Sequence, residues 1–158
     1  MSEHLDAMRN FVNAMNQGSP HAMALKMETV SLDKEGAVLR VPYDETLIGD
    51  PDTGVIAGGV VTALLDHACG QAVHTGLTEF KTIATLDLRI DYMRPAEPGK
   101  DIFARAHCYK VTRSVAFVRA VAYDVDPADP VAAAQAAFML DSSPGRGFGA
   151  NLKDRKAK

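Results

Sequence analysis

Gly58, Gly59 and Asp66 have the residue types and the spacing that could do chemistry in this chain, within GVIAGGVVTALLDHACGQAV, Gly54 to Val73. From Val60 to Val73 the stretch reads as one helix, because Val61, Leu64, Leu65, Ala68, Cys69 and Ala72 recur at helical spacing. Val60 and Val73 widen the apolar arc past a single stripe, the pattern of a buried helix. Asp66 sits in its middle. Its neighbours three and four residues away, Thr62, Ala63, Cys69 and Gly70, are all small. A carboxylate with open space before it, on a helix that otherwise avoids water, costs free energy unless something partners it. It is either a structural Asp bonded to nearby backbone or a base facing a substrate. The helix entrance favours the second reading. Gly58-Gly59 permits close approach, and the unpaired N–H groups of a first turn can bind a carbonyl oxygen or an anion.

Other chemistries find less support. His67 adjoins Asp66 but is turned about 100° around the helix, so the two side chains diverge. His74 shares a face with His67, but no third ligand accompanies them and no metal site is expected. Cys69 lacks a histidine placed to activate it as a nucleophile. No Lys-Ser or Lys-Thr follows Gly54 to Gly59, which excludes a phosphate-binding loop of that type.

The elements that must position Asp66 are legible on both sides of it. The 158 residues suit one domain with a real core. A net charge of −3 argues against a nucleic-acid or acidic-membrane partner. No apolar run is long enough to span a bilayer, and MSEHLDAMRNF lacks the order of a signal peptide. Cys69 and Cys108 read as small core residues in a reducing cytoplasm.

Ser2 can cap a first helix, residues 3–16, with Leu5, Met8, Val12 and Met15 on one face. Gly18-Ser19-Pro20 stops it. Strands follow at Met23 to Leu32 and Ala37 to Pro42, then a polar loop from Asp44 to Gly54. After the helix, Ala84 to Met93 alternates, placing Leu86, Leu88, Ile90 and Tyr92 on one face and Thr85, Asp87, Arg89 and Asp91 on the other. Asp101 to Lys110, Val115 to Tyr123 and Val131 to Leu140 read as further strands, the last despite its alanines. Hairpin strands with one buried helix between them predict an α+β domain, an antiparallel sheet curled around that helix. The core is 20–140, and the Gly-, Ser- and Lys-rich tail 141–158 reads as mobile.

This order of elements resembles the hotdog-fold acyl-CoA thioesterases, in the PaaI-like branch of the 4-hydroxybenzoyl-CoA thioesterase superfamily. GGVVTALLDHACG, LDLRIDYMRPAEPG and KVTRSVAFVRAVAYD carry the resemblance, which covers Pro20 to Leu140. It implies a sheet wrapped around a central helix, and subunits paired as dimers or dimers of dimers with active sites at the dimer interface. Asp66 matches the general base or nucleophile, and Gly58 and Gly59 the pair whose backbone N–H polarises the thioester carbonyl. Thr85 matches a hydroxyl residue that positions water and in relatives comes from the other subunit. Arg89, Lys110 and Arg113, with Thr62 and Ser114, match positions that meet the substrate and its coenzyme A.

Two positions depart from the family pattern. Ala57 stands where histidine is usual, and Asp50 is the counterpart of a loop asparagine that holds the catalytic water or carbonyl. Ala57 implies a slower or narrower enzyme than histidine-bearing relatives. The resemblance implies a cytoplasmic homo-oligomer that hydrolyses a small aryl- or aliphatic acyl-CoA, with no cofactor beyond the coenzyme A of its substrate. The alternative is a catalytically weak hotdog protein that binds acyl-CoA as a sensor or partner. Ala57 favours that alternative and Asp66 opposes it. Hotdog hydratases rank third, since no histidine aligns with Asp66.

Overall fold

The structure is a computed structural model that describes residues 2–141, with side chains from 6 to 140. The expected Ser2 cap, the Leu5 side chain and the tail beyond Asp141 lie outside what is described. Helix α1 spans Ser2–Gly18 and buries Met8 and Val12. A second helix, α2, follows at once over Pro20–Ala24. Ser19 caps it, its side chain accepting from Ala22 N at 3.3 Å, with Pro20 in its first turn. That corrects the expected strand from Met23. A capping serine before proline starts a helix as well as ending one, and the strand begins only at Glu28, past Lys26 with φ 52°.

Strands β1 (Glu28–Asp33) and β2 (Gly36–Val41) form the expected hairpin. Gly36 is obligatory there: with φ +135°, a Cβ would lie 1.9 Å from the carbonyl oxygen of Ala106. The polar loop ahead of the central helix holds a 3-10 turn and a small hairpin, β3 (Ile48–Asp50) with β4 (Val55–Ile56). Helix α3 runs Gly58–Thr75. Then come β5 (Thr82–Tyr92), β6 (Ile102–Val111), β7 (Val115–Tyr123) and β8 (Ala132–Asp141). The six long strands form one antiparallel sheet in the order β1-β2-β6-β7-β8-β5.

The sheet's inner face packs on α3. Leu64, Leu65, Ala68, Cys69, Ala72 and Val73 are fully buried against residues such as Leu39, Ile102 and Val118. Each buried leucine contributes roughly 1.5–3 kcal/mol over an exposed one. The alanines that weaken β8 as an isolated strand, Ala132, Ala134 and Ala136, are inner-face residues, where a small side chain leaves the sheet room to close on its contents. α1 covers another side of α3 through a closed ring of hydrogen bonds. Asn16 Nδ2 donates to Thr29 Oγ1 at 2.9 Å, which donates to Gln71 Oε1 at 3.0 Å. Gln71 Nε2 then donates back to Asn16 Oδ1 at 3.0 Å.

The third side of α3 faces β5, at the end of the sheet. A β-bulge between Thr85 and Asp87 adds one residue to the pairing with β8. Strict alternation therefore fails, and the expected split of faces is corrected. Thr85, opposite buried Phe138, shares the inner face with Leu88, Ile90 and Tyr92, while Leu86 is 57% exposed. Among the described residues no helix is long and apolar enough to cross a membrane.

Candidate active site

Gly58, Thr62, Asp66 and Gly70 recur every four residues and so form one stripe of α3. β5 runs along that stripe. Thr85 Oγ1 donates to Asp66 Oδ1 at 2.9 Å. Gly70 faces Ile83 and Phe138, since a Cβ there would lie 3.7 Å from each. At the other end, Tyr92 Oη donates to the Gly58 carbonyl at 2.8 Å and lies 2.6 Å from Thr62 Oγ1. The bulge makes this possible by turning Thr85 and Tyr92 to the same side.

Asp66 is half-buried. Among the described residues only the Thr85 hydroxyl hydrogen-bonds its carboxylate, at Oδ1, which leaves Oδ2 for water or substrate. It is not a structural Asp bonded to its own helix. His67 points the other way, its Nε2 lying 2.7 Å from Asn16 Oδ1 on α1. Burial lowers its pKa below the ordinary 6.5, and the charge of Asp66 only partly opposes this. It is therefore a neutral donor within the α1 ring of hydrogen bonds. Burial also pushes the Cys69 thiol up to about 12, with Asp66 adding to the effect. A thiol that keeps its proton is no nucleophile at neutral pH.

The helix start is open. Ala57, its N-cap residue, makes no side-chain hydrogen bond to the first turn. The leading N–H groups, Gly58 and Gly59 among them, have no partners within the helix. Gly59 has nothing within 4 Å of where a Cβ would be. Beside this entrance lies a cavity of about 370 Å³, walled by Val55, Ile56, Gly58, Val61, Tyr92, Met93, Ala96 and Val131. Arg94 also borders it, but its guanidinium is held by Asp124 at 2.6 and 2.9 Å.

The remaining expected residues are not gathered here within one chain. Asp50 is exposed, and its carboxylate accepts from Asp52 N at 3.0 Å and Thr53 Oγ1 at 2.8 Å, bracing its own turn. Arg89 lies on the outer face of β5, 3.2 Å from Asp91, at the rim of a second depression of about 320 Å³ shared with Arg119 and Gln135. Lys110, Arg113 and Ser114 lie at the turn between β6 and β7, near the C-terminal end of α3. There a Cβ on Gly76 would come within 3.2 Å of Cys108 Sγ and 3.3 Å of Val111 Cγ2. Tyr92 is the residue that sequence reasoning passed over. Its alternation grouped it with leucines and isoleucine, although a tyrosine at a strand end carries a hydroxyl that needs a partner.

A profile of the thioesterase superfamily matches residues 53–131, from the β3–β4 turn to the residue before the last strand. A Pseudomonas aeruginosa protein of known crystal structure is 43% identical, the match covering 86% of this chain and 98% of that one with a TM-score of 0.74. An asparagine-to-aspartate variant of the phenylacetic acid degradation protein PaaI from Thermus thermophilus is 26% identical, covering 77% of this chain and 98% of that one with a TM-score of 0.66. A Halobacterium salinarum protein provisionally named an esterase is 38% identical over 80 residues, 49% of this chain and 52% of its own length. The match thus spans about half of that curated relative.

Proposed function

We propose that this chain, which belongs to the thioesterase superfamily, hydrolyses the thioester of a small aryl- or aliphatic acyl-CoA to the free acid and coenzyme A. The observation that carries the proposal is Asp66, half-buried, held through one oxygen by Thr85 and open through the other. A carboxylate so fixed can take a proton from a water as that water attacks the thioester carbon. The tetrahedral oxyanion then forms against the backbone N–H groups of Gly58 and Gly59. Collapse of that intermediate expels the coenzyme A thiolate, and the proton held by Asp66 is free to neutralise it.

One helix cannot supply both halves to one substrate. Gly58 and Asp66 are eight residues apart, about 12 Å along the axis, while a reacting carbonyl must touch both. A site shared between two copies supports the reading, with the glycines of one helix over the Asp66 of the other. β5 offers the means, since among the described residues it ends the sheet with an unpaired edge, and Leu86, Tyr92 and Met93 are about half exposed. The cavity of about 370 Å³ lies at the small end of the range for ligand pockets and is lined mainly by apolar side chains, which supports a small acyl group. Arg89, Lys110, Arg113 and Ser114 then belong to the coenzyme A end of the substrate. The charge of −3 supports a protein without nucleic-acid or acidic-membrane partners, and the free thiols of Cys69 and Cys108 support a reducing, cytoplasmic location.

Thiol release from a panel of short, medium, long and aryl acyl-CoAs tests this, with the small members turning over fastest. Tight binding of acyl-CoA with no thiol release from any member would establish the alternative, a hotdog protein that senses acyl-CoA.

A further inference from the structure

We propose that Tyr92 and Thr62 are positioning residues, a hydroxyl pair that fixes and polarises the Gly58–Gly59 peptide so that its N–H grips the thioester carbonyl. The proposal rests on the hydrolytic reading above. Both hydroxyls converge on one oxygen: Tyr92 Oη is 2.8 Å and Thr62 Oγ1 3.1 Å from the Gly58 carbonyl, and the two hydroxyls are 2.6 Å apart. Three contacts share two protons. The shortest contact must hold one of them, so one hydroxyl donates to the other, whose own proton goes to the Gly58 oxygen. The result is a short chain of hydrogen bonds ending on a peptide oxygen, and such chains strengthen one another.

That oxygen belongs to the same planar peptide unit as the Gly59 N–H. Drawing electron density towards the carbonyl oxygen makes the N–H at the opposite edge a better donor, and it fixes the direction in which that N–H points. Gly59 is exposed, with open space before it. The Tyr92 ring lies 3.7 Å from where a Cβ on Gly58 would be and forms part of the cavity wall, so the hydroxyl is held at the junction of cavity and helix start. Ala57 brings no side chain to this task. Whichever copy supplies Gly58 and Gly59 to a site supplies Tyr92 and Thr62 with them.

The test uses Tyr92→Phe, which keeps the ring, and Thr62→Val, which keeps the shape, each against wild type with two unreactive ligands. One is an S-(2-oxoalkyl)-CoA, which retains a carbonyl, and the other the matching S-alkyl-CoA thioether, which has none. Each variant should lose about tenfold in affinity for the ketone, as expected of a weakened hydrogen bond, and under twofold for the thioether. The double variant should lose little more than the worse single one, because both act through one oxygen. On a substrate, kcat/KM should fall further than kcat, because part of the weakened hydrogen bond is already made to the ground-state carbonyl. Equal losses on ketone and thioether, or no loss on either, would overturn the proposal, and a drop in melting temperature alone would make the pair merely structural. The two readings separate cleanly. Hydrolysis by wild type with no ketone-specific loss sinks this proposal alone, whereas a ketone-specific loss without hydrolysis sinks only the hydrolytic reading. Failure of wild type to bind either ligand sinks both.

Discussion

Replacing His74 by leucine tests the account of how α3 is buried. His74 is 3% exposed, with Phe11 and Phe80 at ring-centroid distances of 5.2 and 6.4 Å, and among the described residues its Nδ1 has no hydrogen-bond partner. Burial pushes its pKa down from 6.5 to about 4. Below pH 6.5 the unfolded chain takes up a proton that the folded chain refuses. The stability tied to this group is therefore complete above 6.5 and is lost as pH falls from there towards 4. At about 1.4 kcal/mol per pH unit, the loss is about 2 kcal/mol between pH 7.5 and pH 5. In a chain of this size that is a fall in Tm of about 4–8 °C. The window stops at pH 5 because carboxylates titrate below it. Lys26 holds Asp44 low and Arg94 holds Asp124 low, so both give up stability only as pH falls through and below the ordinary carboxylate range. His67, also lowered by burial, adds to the slope in both proteins, so the difference between them isolates His74. Urea unfolding of wild type and His74→Leu at the two pH values measures it. The variant should lose about 2 kcal/mol less than wild type between them. An identical loss in both proteins would refute the burial argument.

Two other perturbations probe the parts that place the site. Thr85→Val keeps the shape but removes the donor to Asp66 Oδ1, and freeing that carboxylate should lower kcat about tenfold with Tm little changed, read by steady-state thiol release and a melting curve. Gly36→Ala should destabilise by about 3 kcal/mol in urea unfolding, because the backbone at φ +135° would press a Cβ onto the carbonyl of Ala106 while catalysis per folded molecule stays unchanged.

The helix, its small-residue stripe and its glycine start were legible because helical periodicity is long and Asp66 contradicts it. The face of Thr85 was not, because a bulge at Leu86 adds one residue that a period of two cannot register. Alternation puts Tyr92 on its correct face with Leu88 and Ile90, but an apolar row gives no sign that its hydroxyl has a partner on the helix. The β3–β4 hairpin escaped because strands of three and two residues carry no periodicity, and with it went the local role of Asp50. The helix at Pro20–Ala24 did carry a signal, a capping serine before proline, but the apolar run from Met23 resembled a strand more strongly. The partners that tie α1 to α3, Asn16, Thr29 and Gln71, are 13 to 55 residues apart in sequence, and no local pattern announces such a ring.

The central claim is that Asp66 activates water, and Asp66→Asn tests it most directly. The change keeps size and polarity and leaves the Thr85 hydroxyl an oxygen to bond, but removes the base. Single-turnover thiol release and Tm should be measured on the same sample with the best acyl-CoA of the panel. Turnover should fall by about 10²–10⁴-fold, the usual range for losing a positioned base, while Tm holds or rises because a half-buried charge has gone. A variant that melts earlier than wild type yet releases thiol at the normal rate per folded molecule would contradict the account.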